Sequence, residues 1–414
     1  MQIGLIQRYL GNKSTISDEI INAIGELASP GDLIVDAFSG SLAVSASLRR
    51  AGYRVACNDI NHFSWVFAHA FFSGNHPYAP NGRVVSSTER RKLWQSLATE
   101  LIAPYDGKFP QLERRTDIFD HYCEEGEKSG FQSSRGTTGR RRFFSTDNAK
   151  AIDRALSRIR HWFRTESIDQ RTRCILTAML LSAVEKVSNT QGTYHDFPRD
   201  LIDSRALNFI SLEVPPDEIF SGLKSTHIGK EQDSMDFVCT IPRHRVLYLD
   251  PPYNFRQYTS YYFMLNLLSS HAEVDDLDNF FARIEFVRGQ NMESDFKSTF
   301  CSKTGFMPSL KRLIERSKAD HVVLSYFDGR NHWGQFKTAE SELLGKEVLE
   351  AFFRSDLFQP NSVKFQPVSR TNYQSYGGHK AKEVKEFLFS ASKASIAAKA
   401  GDDRSEQWIG MMSG

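Results

Sequence analysis

Between Asp32 and Phe38 the chain reads DLIVDAF, apolar and β-branched at its centre. This is the pattern of a strand buried on both faces, and it stops at Ser39-Gly40. In LAVSASLRRAG, which follows, apolar and small residues recur at helical spacing. Arg49 and Arg50 fall in the last turn and Gly52 ends the helix. YRVACNDIN predicts a second strand closing on Asp59. Strand, tight turn, helix, strand is a βαβ unit, and such units collect ligands at the carboxyl ends of their strands. From about Ser73 to Lys230 the pattern changes to helices and polar loops. Strand patterning returns at RVLYLDPPY (Arg245 to Tyr253) and at HVVLSYF (His321 to Phe327), with a Tyr/Leu/Phe-rich helix after the first. FQPVSRTNYQSYGGHKAKEVKEFLFSA predicts two antiparallel edge strands joined by a polar loop holding Gly378, and periodicity fades after Ser390.

At ~150 residues per domain, a chain of this length has room for two or three folding units. With 52 Lys+Arg against 50 Asp+Glu it is neither a polycation nor an acidic tail, so any nucleic-acid surface must be local. One stretch qualifies: Arg135 to Arg173 holds eleven Lys/Arg against four Asp/Glu, with Phe143, Phe144, Trp162 and Phe163 interleaved. That asymmetry points to phosphate contacts, although a solvated helix face with core aromatics gives the same pattern. The longest uncharged apolar run, Cys174 to Val184, is far short of the ~20 residues of a membrane span, and no apolar signal core opens the chain. A soluble, cytoplasmic protein is expected. Five scattered cysteines without CxxC or Cys/His spacing argue against disulfides or a zinc site, and no metal is expected.

Asp250-Pro251-Pro252-Tyr253, at the end of a hydrophobic strand, is the most informative tetrapeptide. The exocyclic amine of a nucleobase is a poor nucleophile because its lone pair is delocalised into the ring. A carboxylate and the carbonyl of the next proline can accept its two hydrogens, the rigid Pro-Pro bend fixes their angle, and Tyr253 can stack on the base. A strand-terminating turn would read the same way in isolation. DAFSGS supplies the second motif: Gly40 allows close backbone approach, and Asp59 can accept from ribose hydroxyls. A pyrophosphate-bearing dinucleotide would want GxGxxG, which is absent, so a cofactor without phosphates fits better.

The motifs RYLGNK, DAFSGS, NDIN, DPPY and SYFDG, in that order, resemble the Dam-like alpha group of S-adenosylmethionine-dependent DNA amino-methyltransferases. The connecting segments FFSTDNAKAID, AVEKVSNTQGTYHDF, YNFRQYTSYYFMLNLL and NYQSYGGHKAKEVKEFLF are similar to stretches of type II restriction-modification adenine methyltransferases. The resemblance implies an α/β, Rossmann-like methyltransferase fold with a seven-stranded, mostly parallel sheet. Residues 1–75 and 225–390 would form the catalytic domain, 76–224 an inserted, mainly helical target-recognition region, and 391–414 a flexible tail. Carried over by position, it implies that S-adenosylmethionine meets Tyr9, Lys13, Asp36, Phe38, Ser39, Gly40, Ser41, Asp59, Ile60, Asp233, Ser234 and Asp250. Asp250 to Tyr253 would form the catalytic loop. Double-stranded DNA would meet Arg140, Arg141, Arg142, Asn189, Gly192, Tyr194 and Arg256, and a cognate restriction endonuclease would act separately. Leu42 stands where the family usually has a second glycine.

The expected reaction is transfer of a methyl group to the N6 amine of an adenine flipped out of duplex DNA. Carbon-5 cytosine methylation requires a cysteine nucleophile, usually after proline, and no cysteine here follows one. Cytosine N4 methylation uses the same grip on an amine and stays open as an alternative, as does a DNA-binding protein with a vestigial methyltransferase domain. RNA methylation is disfavoured by the long basic insertion.

Overall fold

The computed structural model describes residues 9, 11–190, 194, 196–291, 296–327, 339–372 and 382–394. The first third of the chain runs α1 (Ser17–Gly25), β1 (Leu33–Asp36), α2 (Ala43–Arg50), β2 (Arg54–Cys57), α3 (His62–Phe72), α4 (Ser87–Ile102) and α5 (Asp117–Tyr122). A small hairpin, β3 (Gly130–Gln132) and β4 (Thr138–Arg140), leads into α6 (Thr146–Arg164), α7 (Gln170–Val187) and β5 (His227–Ile228). Next come α8 (Ser234–Thr240), β6 (His244–Leu249), α9 (Tyr258–Tyr261), α10 (Phe263–Ser270) and α11 (Leu277–Ala282). The chain finishes with α12 (Lys303–Arg316), β7 (Ala319–Phe327), α13 (Ala339–Phe353), β8 (Lys364–Asn372) and β9 (Lys382–Ser392).

Seven strands form one sheet in the order β5-β2-β1-β6-β7-β9-β8. The first five are parallel, and β9 runs antiparallel to both β7 and β8. This is the Rossmann-like methyltransferase arrangement. The order reverses between β1 and β6, so a crevice opens beyond their carboxyl ends, where doubly wound sheets take ligands.

The apolar runs behave as their composition predicts. All four residues of β1 are buried, and successive side chains enter opposite layers. Ile34, Val246, Tyr248 and Val323 join one core. Leu33, Val35, Leu247, Leu249, Val322 and Leu324 join the other, beneath α8, α12 and α13. The first core continues without a break through α3 and α10 into α6 and α7, so the helices between residues 87 and 187 share a core with the sheet. β9 extends to Ser392, beyond the expected start of the tail, and the Lys393 ammonium donates to the carbonyls of Ile314 and Ser317 at 2.6 and 2.7 Å. The loop expected to hold Gly378, and Asp328-Gly329 of SYFDG, lie outside the described residues.

Several arginines of the basic stretch bond to carbonyls inside the protein. Arg158 is 2% exposed and donates to the carbonyls of Leu101, Ala103 and Pro104 at 2.8, 2.7 and 3.2 Å, closing the end of α4. Arg160 does the same beyond α10, at the carbonyls of His271, Val274 and Asp275. Helix ends leave four carbonyls without intrahelical partners, and a guanidinium can satisfy several at once. Arg141 is buried and donates to the carbonyls of Phe286, Val287 and Lys128. Arg140 holds the carbonyls of Glu124 and Gly126, and Arg142 pairs with Glu124. Arg140 and Arg141 thus tie donors to backbone carbonyls, and Arg142 ties one to a carboxylate.

Arg158→Ala should destabilise the fold by about 2–3 kcal/mol, the scale of losing charged-donor hydrogen bonds to buried carbonyls. A lower urea midpoint with an unchanged slope would report it; an unchanged midpoint would show that α4 ends without this cap.

Candidate active site

β1 and β6 place two acids side by side. Asp36 pairs in register with Tyr248, and Asp250 lies two residues further along the neighbouring strand's exit. After Asp36 the chain turns sharply. The Ser39 hydroxyl donates to the Asp36 carbonyl at 3.0 Å and accepts from the Asn58 N–H at 2.9 Å, stitching the tip of β1 to the tip of β2. Gly40 has φ +47°, and a Cβ there would fall 2.6 Å from the Tyr9 hydroxyl, so both backbone and space demand glycine. Its N–H donates to Asp59 at 2.9 Å. The other Asp59 oxygen accepts from the N–H and amide of Asn61. Ser41 is buried in the same turn.

Leu42 adopts φ +64°, a left-handed conformation that costs a non-glycine residue roughly 1–2 kcal/mol. The side chain is 1% exposed, and removing a buried leucine costs about 2–5 kcal/mol, so packing outweighs backbone strain. This accounts for the departure from a second glycine.

A cleft opens beyond these tips. Phe38, Asp59, Ile60, Asp233, Ser234 and Asp250 all line it, as do Tyr9 and Pro252. Asp233 also caps α8, accepting from the Met235 N–H at 2.7 Å. Gln257, Tyr258 and Phe300 complete the walls without having been singled out in the sequence. Phe300 arrives on a segment with no motif, tied to the loop after β6: the Ser298 N–H donates to Gln257, and the Thr259 hydroxyl to the Phe296 carbonyl.

Lys13, Asp36, Ser39, Gly40, Ser41, Pro251 and Tyr253 are not among the residues that line the cleft. The Asp36 carboxylate takes the Ser45 hydroxyl at 2.6 Å on one oxygen, while the other is buried with no partner among the described residues. Burial pushes its pKa up to about 7, against the Ser45 bond. Asp250 is pushed up to about 6, again by burial, with Lys13 opposing. The Lys13 ammonium lies 3.0 Å from Asp250 and 2.9 Å from Glu386, and donates to the Tyr253 hydroxyl at 3.5 Å. The Tyr253 ring packs edge-on against Tyr326.

The expected DNA contacts are scattered. Asn189 is 1% exposed; its amide donates to the carbonyls of Arg142 and Leu201 and its oxygen accepts from the Asp203 N–H, so it staples loops together. Tyr194 is fully buried, and Gly192 lies outside the described residues. Arg256 alone among the described members sits beside the cleft, in the loop after Tyr253, with its guanidinium over the Tyr261 ring.

Two strand-tip acids, Asp59 and Asp250, line one cleft on this sheet, an arrangement that suits a group-transfer enzyme. Residues 9–304 match the family model of the D12 class N6 adenine-specific DNA methyltransferases, and the chain belongs to that family. It is 29% identical over 390 residues to the type II methyltransferase M.NlaIII of Neisseria lactamica, covering 93% of this chain and 99% of that protein. M.FokI of Planomicrobium okeanokoites is 23% identical and modification methylase StsI of Streptococcus sanguinis 26%. The alignments take in 93% and 92% of this chain but only 52% and 51% of those two proteins. No helix among the described residues is long and apolar enough to cross a membrane, and no His/Cys/Asp/Glu group among them could hold a metal.

Because Asp36 binds its proton more tightly folded than unfolded, its contribution to stability is complete below about pH 4 and is lost as pH rises through about 7. Asp36→Asn should remove that loss, so the ligand-free variant gains on the wild type above pH 7 and not at pH 4. Parallel urea-stability profiles for the two proteins would exclude it.

Proposed function

We infer that the cleft binds S-adenosylmethionine and that the protein methylates the N6 amine of an adenine rotated out of double-stranded DNA, as the modification partner of a separate restriction endonuclease. The observation that carries this reading is the position of Asp250, which reaches the same cleft as Phe38 and Asp59 from the adjacent central strand. When bound, the cofactor supplies a methyl group on a sulfonium, already a good leaving group.

The residues suit that molecule. Asp59 already accepts three hydrogen bonds from Gly40 and Asn61, which leaves about one of a carboxylate's four lone-pair sites for a ribose hydroxyl. Phe38 and Ile60 offer apolar walls, and Asp233 and Ser234 offer polar edges for an adenine ring. Asp250 and the Pro251 carbonyl accept the hydrogens of the target amine and localise its lone pair, so catalysis rests on positioning. Duplex stacking hides that amine, so the base leaves the helix at a cost of a few kcal/mol. Residues 76–224 and Arg256 are our assignment for holding the duplex while this happens.

Asp250→Asn should lower methylation of duplex DNA at least about 10²-fold while leaving duplex affinity intact, because the carboxylate acts on an amine and not on phosphates. Transfer of tritium from labelled cofactor, followed by nucleoside analysis for N6-methyladenine, reads the first; equilibrium binding reads the second. Methylation at the wild-type rate, or no labelled N6-methyladenine from the wild type, would overturn the assignment. The wild-type rate should also fall as pH drops through about 6, where Asp250 takes up a proton and ceases to accept; a flat rate between pH 8 and 5 would separate catalysis from that carboxylate.

A further inference from the structure

Glu386 comes from β9 and is completely buried. One of its oxygens takes the Lys13 ammonium at 2.9 Å and the Ser325 hydroxyl at 3.0 Å, and the other takes the Arg370 guanidinium from β8 at 2.9 Å. Lys13 has three N–H donors and finds three acceptors: Asp250, Glu386 and the Tyr253 hydroxyl. Two cations and two anions thus form a continuous, charge-balanced chain, Asp250–Lys13–Glu386–Arg370, in which Lys13 and Glu386 are 3% and 0% exposed. A buried ion left without its partner is costly, so each member fixes the next.

We propose that Glu386 and Arg370 are positioning residues for methyl transfer, holding the Lys13 ammonium against one Asp250 oxygen so that the other stays ionised and directed at the incoming amine. Lys13 touches the reacting carboxylate; Glu386 and Arg370 act through it. The proposal rests on the reading of Asp250 as the amine acceptor.

The groups that bear on Asp250 are identifiable from every side. Lys13 comes from the segment before α1, Asp36 from β1, Tyr248 from β6, Tyr253 from the following loop, Tyr258 from α9, Arg370 from β8 and Glu386 from β9, with Tyr9 across the cleft. Of these, Lys13 and Arg370 favour the carboxylate and Glu386 opposes it. Removing the Glu386 charge leaves both cations acting on Asp250 alone, which lowers its titration midpoint. Removing Arg370 raises it.

The test uses ligand-free protein with carbon-13-labelled aspartate carboxyls, the Asp250 signal being assigned by its loss in Asp250→Asn. Glu386→Gln should move the Asp250 midpoint to lower pH, and Arg370→Met to higher pH, with Arg370→Lys restoring it. In single-turnover methylation both Glu386→Gln and Arg370→Met should slow the chemical step by about tenfold or more, since small misplacements of reacting groups are costly, with duplex affinity changed less than about twofold. Midpoints and rates at wild-type values, or a loss confined to thermal stability, would overturn the proposal. If Glu386→Gln fails to fold, the Arg370 pair decides alone. Midpoints that move while the methylation rate does not would also reject the positioning role, and leave the acceptor reading of Asp250 intact. Methylation by Asp250→Asn at the wild-type rate would instead remove that reading.

Discussion

The in-register parallel pairing of β1 with β6 is the constraint on which the site depends. Segments that are remote in sequence lie side by side with Asp36 opposite Tyr248, and the reversal of strand order between them leaves a gap above their tips. Side chains alternate faces along a strand, so a slip of one residue would exchange the two cores and swing each acid to the wrong side. Both faces of these strands are buried, and burial therefore fixes the register that chemistry uses.

The two acids so placed are electrostatically unlike. Asp36 meets the Ser45 hydroxyl and the Phe38 backbone but no cation, so burial dominates and its proton is held toward neutral pH. Asp250, 17% exposed against 1% for Asp36, touches an ammonium, and its proton is held less firmly. Glu386, touched by two cations, overcomes burial altogether and titrates below the ordinary glutamate range. Asp36 and Glu386 are about equally buried, so between these two the number of cations in contact sets the direction.

Much of this was legible in the chain. Runs such as LIVD and HRVLYL announce strands covered on both sides because nothing polar interrupts them, and the turn residues after each mark where ligands can approach. Glu386 was not legible. In KEVKEFLFS it reads as the outward position of an alternating strand, and only the placement of β9 between β7 and β8, with Lys13 against it, turns that position inward. Phe300 was invisible for a different reason, since side-chain bonds to Gln257 and Thr259, and no pattern of its own, carry its segment to the cleft. The arginines between 135 and 173 show what composition leaves out, since it counts charge but cannot say which acceptors lie nearby.

Those arginines also govern how the molecule responds to its solvent. Contacts of a guanidinium with carbonyls at about 3 Å lie well inside a Debye length, which is about 10 Å at 0.1 M salt, and buried contacts are screened least. Brine strong enough to strip a polyanion from the surface thus leaves the helix ends of this fold sealed, and architecture and cargo respond to different ranges of ionic strength.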